Sequence, residues 1–138
     1  MDLKDPVSVS FPIQWGDQDM FGHVNNVHFL KWFESGRVSY LMQCGARLTS
    51  EGVGPILAAI QCDYIKQIKY PDTITVGTSL GKIGNSSLVL HHELWSQTQD
   101  EVAARGDSTI VMFDYVNQKS IRVPDDIREA IKQLEQSG

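Results

Sequence analysis

The chain opens on an unbroken alternation. Val7, Val9, Phe11, Ile13 and Trp15 fall on one side, and Ser8, Ser10, Pro12 and Gln14 on the other, which is the two-residue period of a half-buried strand. Pro12 has no N–H to give to a ladder, so the outer side of that strand belongs at an edge or near a bulge. The polar, glycine-containing stretch from Gly16 to Gly22 breaks the pattern and reads as a loop. From Asn25 to about Gln43 there is no proline and no glycine except Gly36. Phe29, Phe33, Gly36 and Tyr40 recur there at helical spacing, as do Leu30, Phe33, Arg37 and Leu41. Asn25 predicts the N-cap and Gly45 the C-terminal glycine. At ~1.5 Å per residue the helix spans about 28 Å. Trp32 and Met42 add apolar groups beyond a single stripe, which predicts burial on most sides.

A long buried helix needs a wrapper, and the remainder of the chain supplies one. Ile56, Ala58, Ile60, Cys62 and Tyr64 alternate with polar or small residues, and Tyr70-Pro71-Asp72 then makes a turn. Ile74, Val76 and Leu80 resume the pattern until Gly81 to Ser87 interrupts it. Leu88, Leu90, His92 and Leu94 form a further strand, Gln97 to Glu101 a polar turn, and Ile110, Val111, Met112, Phe113 and Tyr115 lie in the last strand. Four long strands joined by short turns predict an antiparallel meander. Pro124-Asp125-Asp126 opens a short amphipathic helix with Ile127, Ile131 and Leu134 on one side. The order predicts an α+β domain over residues 1–138, with one long central helix on a five-stranded antiparallel sheet and a short C-terminal helix.

Composition narrows the function. The 138 residues carry 12 basic and 17 acidic side chains, a net charge of −5, with 41% hydrophobic and 21% charged residues. That is the balance of one globular domain. The acidic excess argues against nucleic acid as a partner, which needs a dense basic face, although a few lysines can hold a small polyanion. No apolar run approaches the ~20 residues of a membrane span, and the first residues lack the apolar core of a secretory signal. Cys44 and Cys62 read as free thiols of a reducing compartment, so a cytoplasmic location is expected. His23 and His28 are five apart, and His91 and His92 point to opposite faces of a strand. With no Cys-x-x-Cys pair beside them, no metal is expected. There is no G-x-S-x-G elbow, and SLGKIGNSS lacks the G-K-[ST] end of a phosphate loop.

The densest chemistry is WGDQDMFGHVNN, Trp15 to Asn26, between the first strand and the long helix. Any one of these residues has a bland role, since Asp in such a loop forms turns and Asn25 caps. Together they place a carboxylate just before a helix N-terminus, whose free N–H groups suit a developing oxyanion. A base or nucleophile beside an electrophile-polarising pole is what acyl transfer requires.

The run D-x-D-x-x-G-H-V-N-N-x-x-F, here Asp17, Asp19, Gly22, His23, Val24, Asn25, Asn26 and Phe29, is followed by F-E-x-x-R at Phe33, Glu34 and Arg37. It resembles the signature of the 4-hydroxybenzoyl-CoA thioesterase family of hotdog-fold proteins. The likeness continues through Asp63 to Asp72 and Lys82 to Leu94. It implies an acyl-CoA thioesterase with no cofactor, CoA being part of the substrate. The family's catalytic aspartate corresponds to Asp19, as nucleophile or as general base. The backbone N–H near Asn26 is implied to meet the thioester oxygen, and His23 stands where the family often has histidine, orienting the loop or shuttling a proton. Glu34 either faces the pocket or pairs with Arg37. Lys66, Lys69 and Lys82, with Arg105, lie in regions where family members hold nucleotide phosphates. The turn with Ser86 and Ser87 offers backbone to the pantetheine arm or is a plain hairpin turn. Phe21, Phe29 and Trp32 are acyl-pocket or core residues. The resemblance also implies a homodimer with sheets joined edge to edge, often paired into a tetramer. Two alternatives stay open: a non-catalytic acyl-CoA or acyl-carrier binding protein, and a hotdog hydratase or dehydratase.

Overall fold

The computed structural model describes residues 5–49 and 51–137, the last of these in its backbone alone. Met1 to Lys4, where the reading of the leader begins, lie outside the described residues. The elements are β1 Val7–Pro12, α1 Asn26–Gln43, β2 Val53–Tyr64, β3 Thr73–Ile83, β4 Ser87–Ser96, β5 Glu101–Asp114, β6 Lys119–Ser120 and α2 Asp125–Ser137. They form one antiparallel sheet in the order β1-β3-β4-β5-β2, with β6 paired to β5. The sheet therefore has six strands where the periodicity predicts five. The extra one is a two-residue ladder, Phe113 opposite Ser120 and Asp114 opposite Lys119, too short to leave a period.

Three further departures from the sequence reading bear on the site. First, the meander covers only β3 to β5. The segment after β2 passes beneath the start of α1, where Ile68 is fully buried and its carbonyl accepts from Val24 N–H at 2.8 Å. The chain thus crosses to the far side of the sheet before β3 begins, leaving β2 as an edge strand.

Second, β1 stops at Pro12, and Trp15–Asp17 is a single 3-10 turn. Asp17 Oδ2 accepts Gln14 N–H at 2.8 Å and turns the chain outward. Trp15 is consequently 72% exposed, edge-on to Tyr70, not the inward strand residue its position in the alternation suggests.

Third, β2 carries a bulge between Leu57 and Ala59. Tyr64, Cys62 and Ile60 lie opposite the inward-facing Ala104, Gly106 and Ser108, and the extra residue then brings Leu57 and Pro55 opposite the buried Ile110 and Met112. A bulge exchanges the two faces of a strand, so Ile56 faces outward and Ala58 is the unpaired extra residue, where simple alternation placed both inside.

α1 lies across β1, β3 and β4. Asn25 caps it, its side chain accepting Val27 N–H at 2.9 Å, and Gly45 follows its end at φ +79. Phe29, Trp32, Phe33, Gly36, Tyr40 and Leu41 are buried, while Met42 is exposed, so the helix is sheltered on one broad side rather than on most of its circumference. Gly36 sets how closely it approaches the sheet: a Cβ there would sit 2.5 Å from Thr78 Oγ1 and 2.9 Å from Val76 Cγ1. The core falls into two apolar clusters. One gathers Tyr40, Leu41, Leu88, Leu90, Ile110 and Met112 with Ile127 and Ile131 of α2. The other gathers Phe29, Trp32, Phe33, Ile74, Val76 and Leu94. Fully burying one such side chain contributes about 1.5–3 kcal/mol.

Candidate active site

The sharp turn that closes the loop before α1 is built by Asp19 itself. Its N–H donates to His23 O at 2.8 Å, its carbonyl accepts Gly22 N–H at 3.0 Å, and its Oδ1 accepts Phe21 N–H at 2.8 Å. Gly22, at φ +78, supplies the left-handed residue that the turn requires. Asp17 has a separate task. Besides holding Gln14, it accepts Asn25 N–H through its carbonyl at 3.3 Å, and its carboxylate lies 3.8 Å from His28 Nδ1. Asp17 therefore ties the loop to the helix start, leaving Asp19 at the loop's exposed tip.

A cavity of about 600 Å³ lies at this helix start. Asp19, Phe21 and His23 line it from the loop, Asn26 and Phe29 from α1, and Tyr64 and Lys66 from the end of β2 and the segment beyond it. The donors at the N-terminus of α1 are unequally used. Val27 N–H goes to the Asn25 side chain and His28 N–H to the Asn25 carbonyl, whereas Asn26 N–H meets no acceptor among the described residues. The exposed tip thus joins a carboxylate, an unpaired helix N–H and an opening large enough for a ligand. Phe21 is 76% exposed and Met20 89%, so the outer wall is apolar and uncovered in the single chain.

Other residues singled out from the sequence sit elsewhere. Lys69 lines an adjoining cavity of about 440 Å³ that shares Lys66 with the first. Glu34 borders a different cavity, further along α1, and lies 3.8 Å from Arg37. Trp32 is buried in the core. Lys82, Ser86 and Ser87 lie at the β3–β4 turn, at the opposite end of β3 from Thr73, roughly 30 Å away at ~3.3 Å per residue. Arg105 is engaged with Glu93 at 3.3 Å. Within one chain these last four are not brought to Asp19. Besides Ile65 and Gln67, the lining residue that sequence reasoning passed over is Tyr64. It packs edge-on against Phe29, with ring centroids 5.1 Å apart, and its hydroxyl donates to Asn26 O at 3.5 Å. The signal was available: Tyr64 closes the inward series of β2 just where the chain turns toward α1.

A buried polar chain crosses the core between the two apolar clusters. Arg37 Nη1 donates to Ser108 Oγ at 3.4 Å, Ser108 Oγ is 2.8 Å from His92 Nε2, and His92 Nδ1 is 3.0 Å from Thr78 Oγ1. His92 stacks on Phe33 with centroids 4.9 Å apart. Burial above all, then the Arg37 charge, pushes His92 down to about 3, so it is neutral throughout the ordinary pH range.

No helix among the described residues is long and apolar enough to cross a membrane, and among them no three His, Cys, Asp or Glu residues are grouped as a metal site.

Known proteins resemble the chain over most of its length. Residues 13–131 match the model of the thioesterase-like superfamily. The long-chain acyl-CoA thioesterase FadM of Escherichia coli (strain K12) is 23% identical over 118 residues, covering 84% of this chain and 89% of FadM. Among solved structures, the PA2801 protein of Pseudomonas aeruginosa superposes with a TM-score of 0.82 at 33% identity, covering 90% of this chain and 96% of its own. A thioesterase of Thermus thermophilus, solved with coenzyme A and Zn, superposes with a TM-score of 0.83 at 29% identity over 96% of both chains. By its loop, its sheet order and the match across most of its length, the chain belongs to the thioesterase-like superfamily of hotdog-fold proteins.

Proposed function

We propose that the chain hydrolyses acyl-CoA thioesters at the cavity beneath the α1 N-terminus. The observation that carries this reading is the pairing of the Asp19 carboxylate with the unpaired Asn26 N–H on one cavity wall. The thioester oxygen accepts from Asn26 N–H, and the helix N-terminal field favours the negative charge that develops there. Asp19 either removes a proton from the attacking water or attacks the carbonyl carbon itself, giving an anhydride that water opens. In both routes the C–S bond breaks, CoA leaves as thiolate and takes up a proton, and water ends in the carboxylic acid. His23 holds the loop turn through its carbonyl, and Phe21 and Phe29 offer apolar surface to the acyl group. Lys66, which lines the cavity and is paired with Glu101 at 3.5 Å, and Lys69, which lines the adjoining one, would receive the CoA phosphates.

The uncovered apolar positions ask for a second copy. Trp15, Met20, Phe21 and Val27 are exposed around the site, and β2, an edge strand, exposes Val53, Ile56 and Leu57. A long apolar edge is stable when paired. Joining β2 to β2 of another subunit would extend the sheet and complete the site wall. Lys82, Ser86 and Ser87 bear on the reaction only through such a copy.

The test is thiol release from a panel of acyl-CoAs by the wild type and Asp19→Asn. Asn retains an oxygen for Phe21 N–H, so the loop turn survives while the base or nucleophile is lost. We expect at least a ~10²-fold fall in kcat with an unchanged melting temperature. Binding of acyl-CoA without release by the wild type would instead identify a carrier, and hydration of an enoyl-CoA a hydratase.

A further inference from the structure

Two cavities lie along the gap between α1 and the inner face of β2. On β2 the inward series is Tyr64, Cys62, Ile60, Leu57 and Pro55, kept on one face by the bulge. On α1, Asn26, Leu30, Arg37 and Leu41 fall on one side at helical spacing, with Glu34 beside them. Tyr64 and Asn26 line the catalytic cavity at one end. Leu57, Pro55, Arg37, Glu34, Val38 and Leu41 line a second cavity of about 310 Å³ at the other. The positions between, Cys62, Ile60 and Leu30, are apolar; at the far end the charged groups are Arg37 and Glu34, while the other polar lining groups, Thr49 and Tyr115, are engaged by Glu51 N–H and by Pro55 O.

That pair has an unusual construction. The Arg37 side chain is only 11% exposed, yet its partners are a 3.4 Å bond to Ser108 and a 3.8 Å approach to Glu34, which is 64% exposed. A guanidinium only donates, so Ser108 Oγ accepts from it. The Ser108 hydroxyl proton then goes to His92 Nε2, and His92 donates from Nδ1 to Thr78 Oγ1. This buried sequence fixes the guanidinium from below. Glu34, on the solvent side, supplies an acceptor next to it. One donor and one acceptor side by side are complemented by a hydroxyl, which accepts from Arg37 while donating to Glu34. A carboxylate would meet the Glu34 charge, and a methyl end would offer Arg37 no acceptor beyond Ser108 and Glu34 while covering part of their polar surface.

We infer that the α1–β2 groove is an acyl-chain site ending in a hydroxyl-recognition point at Arg37 and Glu34, and that the preferred thioesters carry a hydroxyl near the distal end of a medium-length acyl chain. The length follows from α1. Asn26 and the Glu34–Arg37 pair are 8 to 11 residues apart, about 12–16 Å along the axis. Allowing ~3 Å of hydrogen-bond reach at either end, about 6–10 Å remain, which bonds of ~1.5 Å fill with about four to seven bonds between the carbonyl carbon and the hydroxyl oxygen. The inference rests on the thioesterase reading for its reacting end, and the experiment separates the two.

The measurement is kcat/KM for 6-hydroxyhexanoyl-CoA against hexanoyl-CoA, with calorimetric binding of the corresponding free acids as a second readout. For the wild type we expect a preference of at least about tenfold for the hydroxylated substrate, since a site built to bond a hydroxyl discriminates strongly against its absence. In Arg37→Met that ratio falls to about one. The wild-type comparison stands on its own if the variant folds poorly. Thiol release with no preference between the two substrates overturns the hydroxyl site and leaves the thioesterase reading standing. Preferential binding of the hydroxy acid with no release from any acyl-CoA supports the site and overturns the thioesterase reading. Equal binding of the two acids together with equal or absent turnover overturns the site.

Discussion

His92 makes a stability prediction that can be worked through from the structure. It is fully buried on β4, stacked on Phe33, with both ring nitrogens engaged by hydroxyls. Arg37 faces it from α1, His91 adjoins it on β4 and Asp107 lies on β5, and burial together with the Arg37 charge takes it down to about 3 from the ordinary 6.5. The folded protein therefore resists protonation that the unfolded chain accepts. Above pH 6.5 both states are neutral at this residue and its contribution is constant. As pH falls below 6.5 the unfolded state takes up a proton that the native state refuses, and stability declines until the folded group itself titrates near 3. Each pH unit in that window is about 1.4 kcal/mol. Between pH 7.5 and 5.0 the loss is about 2 kcal/mol, and the ceiling near pH 3 is about 5 kcal/mol. Urea unfolding at fixed protein concentration measures it, with His92→Gln as the control that keeps a donor and an acceptor but cannot titrate. His92→Gln is less stable at pH 7.5, yet its curve should flatten on acidification, the wild type losing about 2 kcal/mol more than the variant by pH 5.0. At a urea slope of about 2 kcal/mol/M this is a relative midpoint shift of about 1 M. Parallel pH dependence in the two proteins would refute the argument and mean that His92 is solvated or charged in the folded state.

Three further expectations concern the framework of the site. Gly36→Ala puts a methyl 2.5 Å from Thr78 Oγ1; overpacking of about 1–3 kcal/mol outweighs the ~1 kcal/mol gained in helix propensity, so the melting temperature falls by several degrees, and a rise would show that α1 is not held this close. Tyr40→Phe removes one of two donors to Glu135, whose Oε2 accepts Tyr40 O–H at 2.6 Å and Leu80 N–H at 3.1 Å; denaturation should show a loss of about 1.5–3 kcal/mol, and an unchanged midpoint would mean that α2 is docked by its apolar side alone. Light scattering on the purified protein should give a multiple of the 15.5 kDa chain mass, and a fully active monomer would contradict the shared-wall reading of the site.

What was legible from the sequence, and what was not, follows from the range of the forces involved. The long helix could be read because its cap, its apolar spacing and its terminal glycine are local, and Asn25 and Gly45 act where they were placed. Strand identity was equally local. Strand order was not: β2 pairs with β5 because Ile68 is buried under α1 and carries the chain across, a tertiary preference with no trace in periodicity. The bulge at Ala58 is invisible for a related reason, since a single extra residue leaves the hydrophobic count unchanged while exchanging the faces. Trp15 continued the alternation of β1 faithfully, but the Asp17 carboxylate reaching Gln14 N–H ended the strand first. At the site, the chemistry of the loop was legible in composition, and the separate tasks of Asp17 and Asp19 follow from which backbone groups each one holds. The Arg37–Ser108–His92–Thr78 sequence joins four elements, and each member looks ordinary within its own segment.

That buried sequence bears on why the core is built as it is. Along β4 the inward positions run Leu88, Leu90, His92 and Leu94, and a leucine in third place would remove a polar group from an otherwise apolar face. Polar groups in a core must be fully satisfied or they cost more than apolar replacements would. Here the satisfaction is complete only with Arg37 as terminal donor, because Ser108 has one proton to give and His92 takes it. The same strip of sheet touches α1 at Gly36, through Thr78 and Val76. Thr78 therefore sets the height of the helix over the sheet while ending the line that aims the guanidinium. Fixing α1 in this way also fixes Asn26 at its N-terminus, ten residues from Gly36. The positions of the Asn26 N–H at the start of α1 and of the Arg37 guanidinium further along it are thus set by one rigid contact, which is how, on the proposed reading, a small domain would hold two ends of a flexible chain in register.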